Sequence, residues 1–290
     1  MFAESGEGCR HTLAHEAMAT AFKVTLVHAD AAYARQAGAA ALAELDRIEA
    51  RLSRYVESSD ISRVNRLERG RETMVQHDTF ECLRTALDVQ RETRGAFDVA
   101  YASPGPWPAG PRFDLNADTH AVRVLGDGAR LDLGGIGKGS ALDRMAAVLA
   151  DWEIPAALLA ASTSTVLAVG FPPGEEGWPV VFGPEEKPRR TCLKNRAFSG
   201  SGTAVKGSHI VDPRAKQPAQ GRFRAWAGAP TAALSDALST AFMIMTEAEI
   251  RDYCRRHPEV SAFWLASDSA PLSAAGFDAT TSRVSSSARP

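Results

Sequence analysis

A chain of 290 residues, 44% hydrophobic and 23% charged, is long enough for a sizeable core and has the composition of an ordinary globular protein. Its formal charge of -2 gives no electrostatic reason to expect nucleic acid or an anionic membrane as partner. The four cysteines, Cys9, Cys82, Cys192 and Cys254, are too scattered for a metal knuckle or a disulfide framework. The opening MFAESGEGCRHT holds no apolar run, so the expected location is the cytoplasm, or the periplasm or a membrane surface if a leader has been removed.

Phe22, Val24 and Leu26 alternate with polar residues after His15 to Thr20, which predicts a strand with one buried face. From Ala31 to about Tyr55, Leu42, Leu45, Ile48 and Leu52 recur at helical spacing. Ser58-Ser59-Asp60 then offers a cap for a short helix carrying Ile61, Val64 and Leu67. Asp78 is a candidate cap for a further helix, which ends at Arg94-Gly95. Strands are predicted at Phe113 to Leu115 and Ala121 to Leu125. Leu131 to Leu133 reads as another short strand, running into a glycine-rich turn and a helix from Ser140 to about Trp152.

Short strands are expected at Ala157 to Ala160, Thr165 to Val169, Trp178 to Phe182, Thr191 to Lys194, Ser208 to Val211 and Phe223 to Ala227. Helices follow at Asp236 to Met245 and Glu247 to Arg256, with a last strand near Ala262 to Leu265. Long helices interleaved with many short strands argue for an α+β protein. Residues 15–266 read as one domain, and 267–290, poor in large apolar residues, as a disordered tail.

Three polar stretches carry the chemistry. In R-L-D-L-G-G-I-G-K-G-S, free N–H groups at a helix start beside Lys138 would suit a phosphate. The bland alternative is a tight connection with a surface lysine. Asp132 and Gly139 stand where a Walker A loop needs Gly and Ser or Thr, and Ser140 replaces the last glycine of a dinucleotide fingerprint. In S-D-A-L-S-T, Asp236 and Thr240 lie four apart, on one face of a helix, and oxygen ligands of that kind suit Mg²⁺. A helix cap plus a surface hydroxyl is equally open there. S-H-I-V-D-P-R adds His209, which alone reads as a structural histidine beside a turn.

Taken together, L-D-L-G-G-I-G-K-G-x-x-x-D, S-H-I-V-D-P-R and S-D-A-L-S-T, with G-A-F-D upstream, resemble the FAD:protein FMN transferases, the ApbE family. Met-Ala-Thr at 18–20, and Tyr55 near Ser58 and Asn65, extend the likeness, which covers roughly residues 15 to 246. The resemblance implies an α+β flavin-binding fold with mixed sheets, long helices and a central FAD cleft. Met18, Tyr55, Ala96, Phe97 and Asp98 would line that cleft, and Asp132 and Lys138 would join it through the glycine motif. The Gly135 carbonyl, Asp236, Thr240 and the Ser239 carbonyl would hold Mg²⁺, and His209 would stand nearest proton transfer. The implied reaction is Mg²⁺-dependent transfer of FMN from FAD to a threonine of an acceptor protein, with release of AMP.

The chain departs from the family pattern in places. N-x-G-G would fall at Ala160-Ala161-Ser162-Thr163, and T-G after D-P-R is Ala215-Lys216. The interval from Asp98 to Asp114 is also short. A non-catalytic FAD-binding paralogue, and a hydrolase giving FMN and AMP, are the alternative readings.

Overall fold

The structure, a computed structural model, describes residues 9–104, 110–202 and 210–276, with the backbone of 282–283. In chain order, β1 (Cys9–Ala17) and β2 (Thr20–His28) form a hairpin, followed by α1 (Ala31–Leu52), α2 (Asp60–Val64), β3 (Glu72–Met74), α3 (His77–Glu92), β4 (Phe113–Asn116) and β5 (Ala121–Val124). The central helix α4 (Gly137–Asp151) leads to β6 (Ala156–Ala161), β7 (Thr165–Val169), β8 (Trp178–Phe182), β9 (Arg189–Leu193) and β10 (Arg196–Gly202). Then come β11 (Val211–Asp212), β12 (Gln217–Pro218), β13 (Arg224–Ala229), α5 (Ala232–Ile244), α6 (Glu247–Arg256), β14 (Ser261–Leu265), β15 (Ser273–Gly276) and β16 (Ser282–Arg283).

Eight strands make one sheet in the order β1-β2-β6-β7-β10-β13-β14-β15. The class is the expected α+β, but the sheets are antiparallel throughout the described pairs rather than mixed. Strand alternation divides the core in two. One face of the large sheet packs on α1, α4 and α5 through residues such as Leu26, Leu45, Ile48, Leu142, Met145 and Phe242. Burying each such side chain contributes about 1.5–3 kcal/mol. The other face carries Phe198, Trp226 and Phe263, which meet Trp178 and Phe182 of the small sheet β16-β9-β8.

Local chemistry sets the elements. Asp30 caps α1 by accepting from the N–H groups of Ala32 and Tyr33 at 2.8 and 3.0 Å, and Ser59 caps α2 through the Ser62 N–H at 2.9 Å. Met18 and Ala19 form the two-residue hairpin turn with φ of 50° and 55°, a left-handed pair that usually calls for Asn and Gly. The Met18 N–H donates to Glu49 Oε1 of α1 at 2.7 Å, fixing the strained turn to the helix layer.

Several expectations are corrected. Asp78 is not a cap: α3 starts one residue earlier, at His77, and the buried Asp78 carboxylate pairs instead with Arg51 and with Arg144. Leu131 to Leu133 is not a strand. Its backbone groups are satisfied by the Asn65 side chain and the Val99 carbonyl, so no sheet neighbour is needed. The helix after it begins at Gly137, not Ser140, since the Ser140 N–H already closes a turn on the Ile136 carbonyl. Within 267–290, where the sequence predicts a disordered tail, β15 adds an edge strand on β14 and β16 pairs with β9, while 277–281 and 284–290 lie outside the described residues. Of the strand predicted at Ser208 to Val211, 208–209 lie outside the described residues, Ile210 is not in a strand, and Val211 opens the two-residue β11. No helix among the described residues is long and apolar enough to cross a membrane.

Helices α4 and α5 meet most closely at Gly139. A Cβ there would lie 2.1 Å from the Ala232 carbonyl oxygen and 2.4 Å from its carbon. Backbone cannot yield as a flexible side chain can, so Gly139→Ala is expected to cost at least about 2 kcal/mol. A melting temperature several degrees lower would match this packing; an unchanged one would contradict it.

Candidate functional site

The close approach at Gly139 brings the first turn of α4 against Asp236, which sits inside α5 and is only 3% exposed. Each carboxylate oxygen has defined partners. Thr165 Oγ1 of β7 donates to Oδ1 at 3.2 Å. The Gly139 N–H donates to Oδ2 at 3.2 Å, and Lys138 Nζ reaches the same oxygen at 3.3 Å. Lys138 also donates to the Gly134 carbonyl at 3.1 Å. A buried carboxylate is thus matched by an ammonium, a backbone N–H and a hydroxyl, as its loss of water requires.

One turn along α5 from Asp236, Ser239 and Thr240 face the same sheet. Ser201 Oγ of β10 lies 2.8 Å from Ser239 Oγ and 3.3 Å from Thr240 Oγ1. Ser239 Oγ also donates to the Asp236 carbonyl at 2.9 Å. Gly135 comes against this turn: a Cβ on it would stand 3.3 Å from Thr240 Oγ1 and 3.2 Å from the Phe97 ring. Phe97, Gly135, Lys138, Asp236, Ser239 and Thr240, expected from three separate stretches of sequence, therefore converge.

Asp132 and Tyr55 meet in a neighbouring cavity of about 280 Å³, lined also by Arg54, Asn65, Ala102, Arg130 and Leu131. The Asp132 carboxylate accepts from Tyr101 at 3.3 Å and from the Gly134 N–H at 2.9 Å, with Arg54 Nε at 3.4 Å. Burial and the adjacent Asp132 carboxylate push the Tyr101 hydroxyl up, so it stays protonated and donates. The Arg54 guanidinium lies 4.7 Å from the Tyr55 ring centroid, and that ring is 81% exposed at the rim.

The remaining called residues are placed less directly. Ala96 is buried, and Asp98 is half-buried, accepting from the Ala100 N–H at 2.8 Å; burial pushes its carboxyl up. Met18 has its contacts at the hairpin tip with Glu49. His209 lies outside the described residues. The turn after it is held by Arg214, which bonds Asp212 at 3.3 Å, Glu249 at 2.9 Å and the Ile244 carbonyl at 3.2 Å.

Two departures from the family pattern keep glycine's backbone without glycine. Ser162, between β6 and β7, has φ 50°, and Lys216, after Asp212-Pro213-Arg214, has φ 55°. Sequence reasoning missed Thr165, Ser201, Arg54 and Tyr101. Only the alternation within β7 could have placed Thr165 on an inward face, and nothing local says which helix lies opposite.

The sheet with its helix layer, and the polar corner between α4 and α5, define an α+β protein whose buried carboxylate faces a glycine loop. The ApbE family profile matches residues 18–264, and the chain belongs to that family. No curated protein sequence matches it. Among solved structures, the flavin transferase ApbE of Vibrio cholerae superposes with a TM-score of 0.80 at 17% identity, covering 93% of this chain and 98% of its own. The apo flavinyl transferase ApbE of Pseudomonas stutzeri gives 0.80 at 18%, covering 93% and 95%. The ApbE protein of Thermotoga maritima gives 0.76 at 22%, covering 92% and 97%. At these identities the likeness establishes the fold.

Asp143 clamps the corner from below, accepting from the Ala232 and Ala233 N–H groups at 2.7 and 2.8 Å. Burial outweighs these donors and pushes its carboxyl from 3.8 up to about 6. The folded chain therefore binds this proton more tightly than the unfolded chain does. The resulting stability is complete at low pH and is lost as pH rises from about 4 to 6, by at most about 3 kcal/mol. Asp143→Asn should flatten that part of the stability profile in denaturant titrations; an identical slope in both proteins would contradict the assignment.

Proposed function

We propose that this member of the ApbE family is a flavin transferase that moves FMN from FAD onto a threonine of an acceptor protein, releases AMP and requires Mg²⁺. The observation that carries the reading is the buried Asp236 carboxylate, held beside Thr240, Gly135 and Lys138 at the start of α4. Family membership and the flavin transferases among the structural neighbours support it.

The donor set fits a small hard cation. Among the described residues no cluster of three or more His, Cys, Asp or Glu could hold a metal. Mg²⁺ does not need one, because it takes one or two carboxylates and completes its shell with substrate phosphate and water. Asp236, the Thr240 hydroxyl and the carbonyls of Gly135 and Ser239 would hold it. Bound there, Mg²⁺ would supply positive charge against the diphosphate of FAD.

The chain's own groups do the rest. Lys138, on a flexible stem and 23% exposed, can leave Asp236 for a phosphate oxygen and offset charge that builds as the threonine oxygen attacks the phosphorus of the FMN half. The new bond is threonine oxygen to phosphorus, and the bond broken joins that phosphorus to the oxygen of departing AMP. His209, carried over from the motif, would accept the hydroxyl proton. Tyr55 and Asp132, with Arg54, would receive a planar, polar part of the dinucleotide in their cavity.

Purified protein given FAD should release AMP with Mg²⁺ and not with EDTA, and Asp236→Ala should lower the rate on the order of 10²-fold or more. Flavin fluorescence retained on a threonine-bearing acceptor after denaturing electrophoresis separates transfer from hydrolysis. FAD binding without AMP, with acceptors present, would instead make the chain a non-catalytic paralogue.

A further inference from the structure

We propose that Thr165 is a positioning residue that fixes the plane of the Asp236 carboxylate for cation binding; this rests on the metal reading above. Thr165 is 1% exposed and opens β7, a central strand paired on one side with Ala161 of β6 and on the other with Ser199 of β10. Its backbone is therefore held from both sides, and its β-branched side chain has few rotamers. The hydroxyl donates to Asp236 Oδ1 at 3.2 Å, across the boundary between sheet and helix layer.

The three partners of Asp236 differ in stiffness. Thr165 is fixed by the sheet, and the Gly139 N–H belongs to the backbone of α4. Lys138 alone reaches the carboxylate on a flexible stem. If Lys138 swings away, the carboxylate would keep its orientation through Thr165 on Oδ1 and Gly139 on Oδ2, ready to hold a cation. Without the threonine hydroxyl, Oδ1 loses its donor and the group can turn about its terminal torsion, which is broad.

The surroundings favour a role beyond filling space. Thr165, Ser199 and Ser201 share the sheet face turned to α5, and Ser201 is spent on Ser239 and Thr240. Ser199, fully buried, has no hydrogen-bond partner for its hydroxyl among the described residues. Hydroxyls on this face are thus not all consumed by the packing of the sheet on the helix, and the one on Thr165 is aimed at the only carboxylate of S-D-A-L-S-T.

The test compares wild type, Thr165→Val, which keeps the volume, and Thr165→Ser, which keeps the hydroxyl. Mn²⁺ binding in the presence of FAD is read by electron paramagnetic resonance, FAD affinity in EDTA by flavin fluorescence, and folding by melting temperature. Thr165→Val should weaken Mn²⁺ about tenfold, the size expected for losing a hydrogen bond to a charged group. It should leave FAD affinity in EDTA within about twofold by the same argument, and Thr165→Ser should restore Mn²⁺ binding. A Thr165→Val protein that melts lower but binds Mn²⁺ as wild type does, or a Thr165→Ser protein no better than the valine variant, would overturn the positioning role alone. Wild-type protein that binds FAD but no Mn²⁺ would overturn the metal reading and this inference with it.

Discussion

The rest of the site depends on the approach of two helices at Gly139. Because that residue has no side chain, the start of α4 can lie on the Ala232 backbone at the start of α5. Asp143 fastens the contact by accepting two N–H groups of α5 from one turn further along α4. Only then can the Asp236 carboxylate, one turn into α5, reach the Gly139 N–H and the Lys138 ammonium. Packing and polarity are coupled here: a charge buried to 3% exposure is tolerable because the Gly139 N–H and the Thr165 hydroxyl are held against it by the packed helix and sheet, with Lys138 as a movable third partner.

The large sheet supplies the second half of the device. Antiparallel pairing of β7 with β10 puts Thr165, Ser199 and Ser201 on the face toward α5, while Phe198 from the same strand points into the aromatic core behind. A polar layer one hydroxyl deep is thereby inserted between an apolar sheet interior and an apolar helix layer. Left-handed backbone at Met18-Ala19, Ser162 and Lys216 falls in stretches that the resemblance ties to the site, while Arg94, His120, Glu153 and Asn195 adopt it elsewhere, so it does not by itself mark the site.

Much of this was legible in the sequence. Short apolar runs marked β7, β8 and β14 closely, and α6 has the expected bounds, Glu247 to Arg256. Motif order brought Asp132, Lys138, Asp236 and Thr240 into view before any coordinates. What escaped were features decided by partners distant in sequence. β10, with its Ser-Gly-Ser-Gly run, has weak strand propensity and is made a strand by β7 and β13. The Leu131–Leu133 segment looks like a strand, but Asn65 takes its hydrogen bonds. Short polar residues such as Thr165 and Ser201 carry no local signal of what they face.

The most direct test of the central claim is a crystal of this protein with FAD and Mn²⁺, measured for anomalous scattering. The account predicts one strong peak in bonding contact with Asp236 and Thr240 and with a phosphate oxygen of the dinucleotide, with Lys138 turned from the carboxylate to the diphosphate. A dinucleotide bound with its phosphates elsewhere, or a peak that leaves the Lys138–Asp236 pair intact, would contradict it.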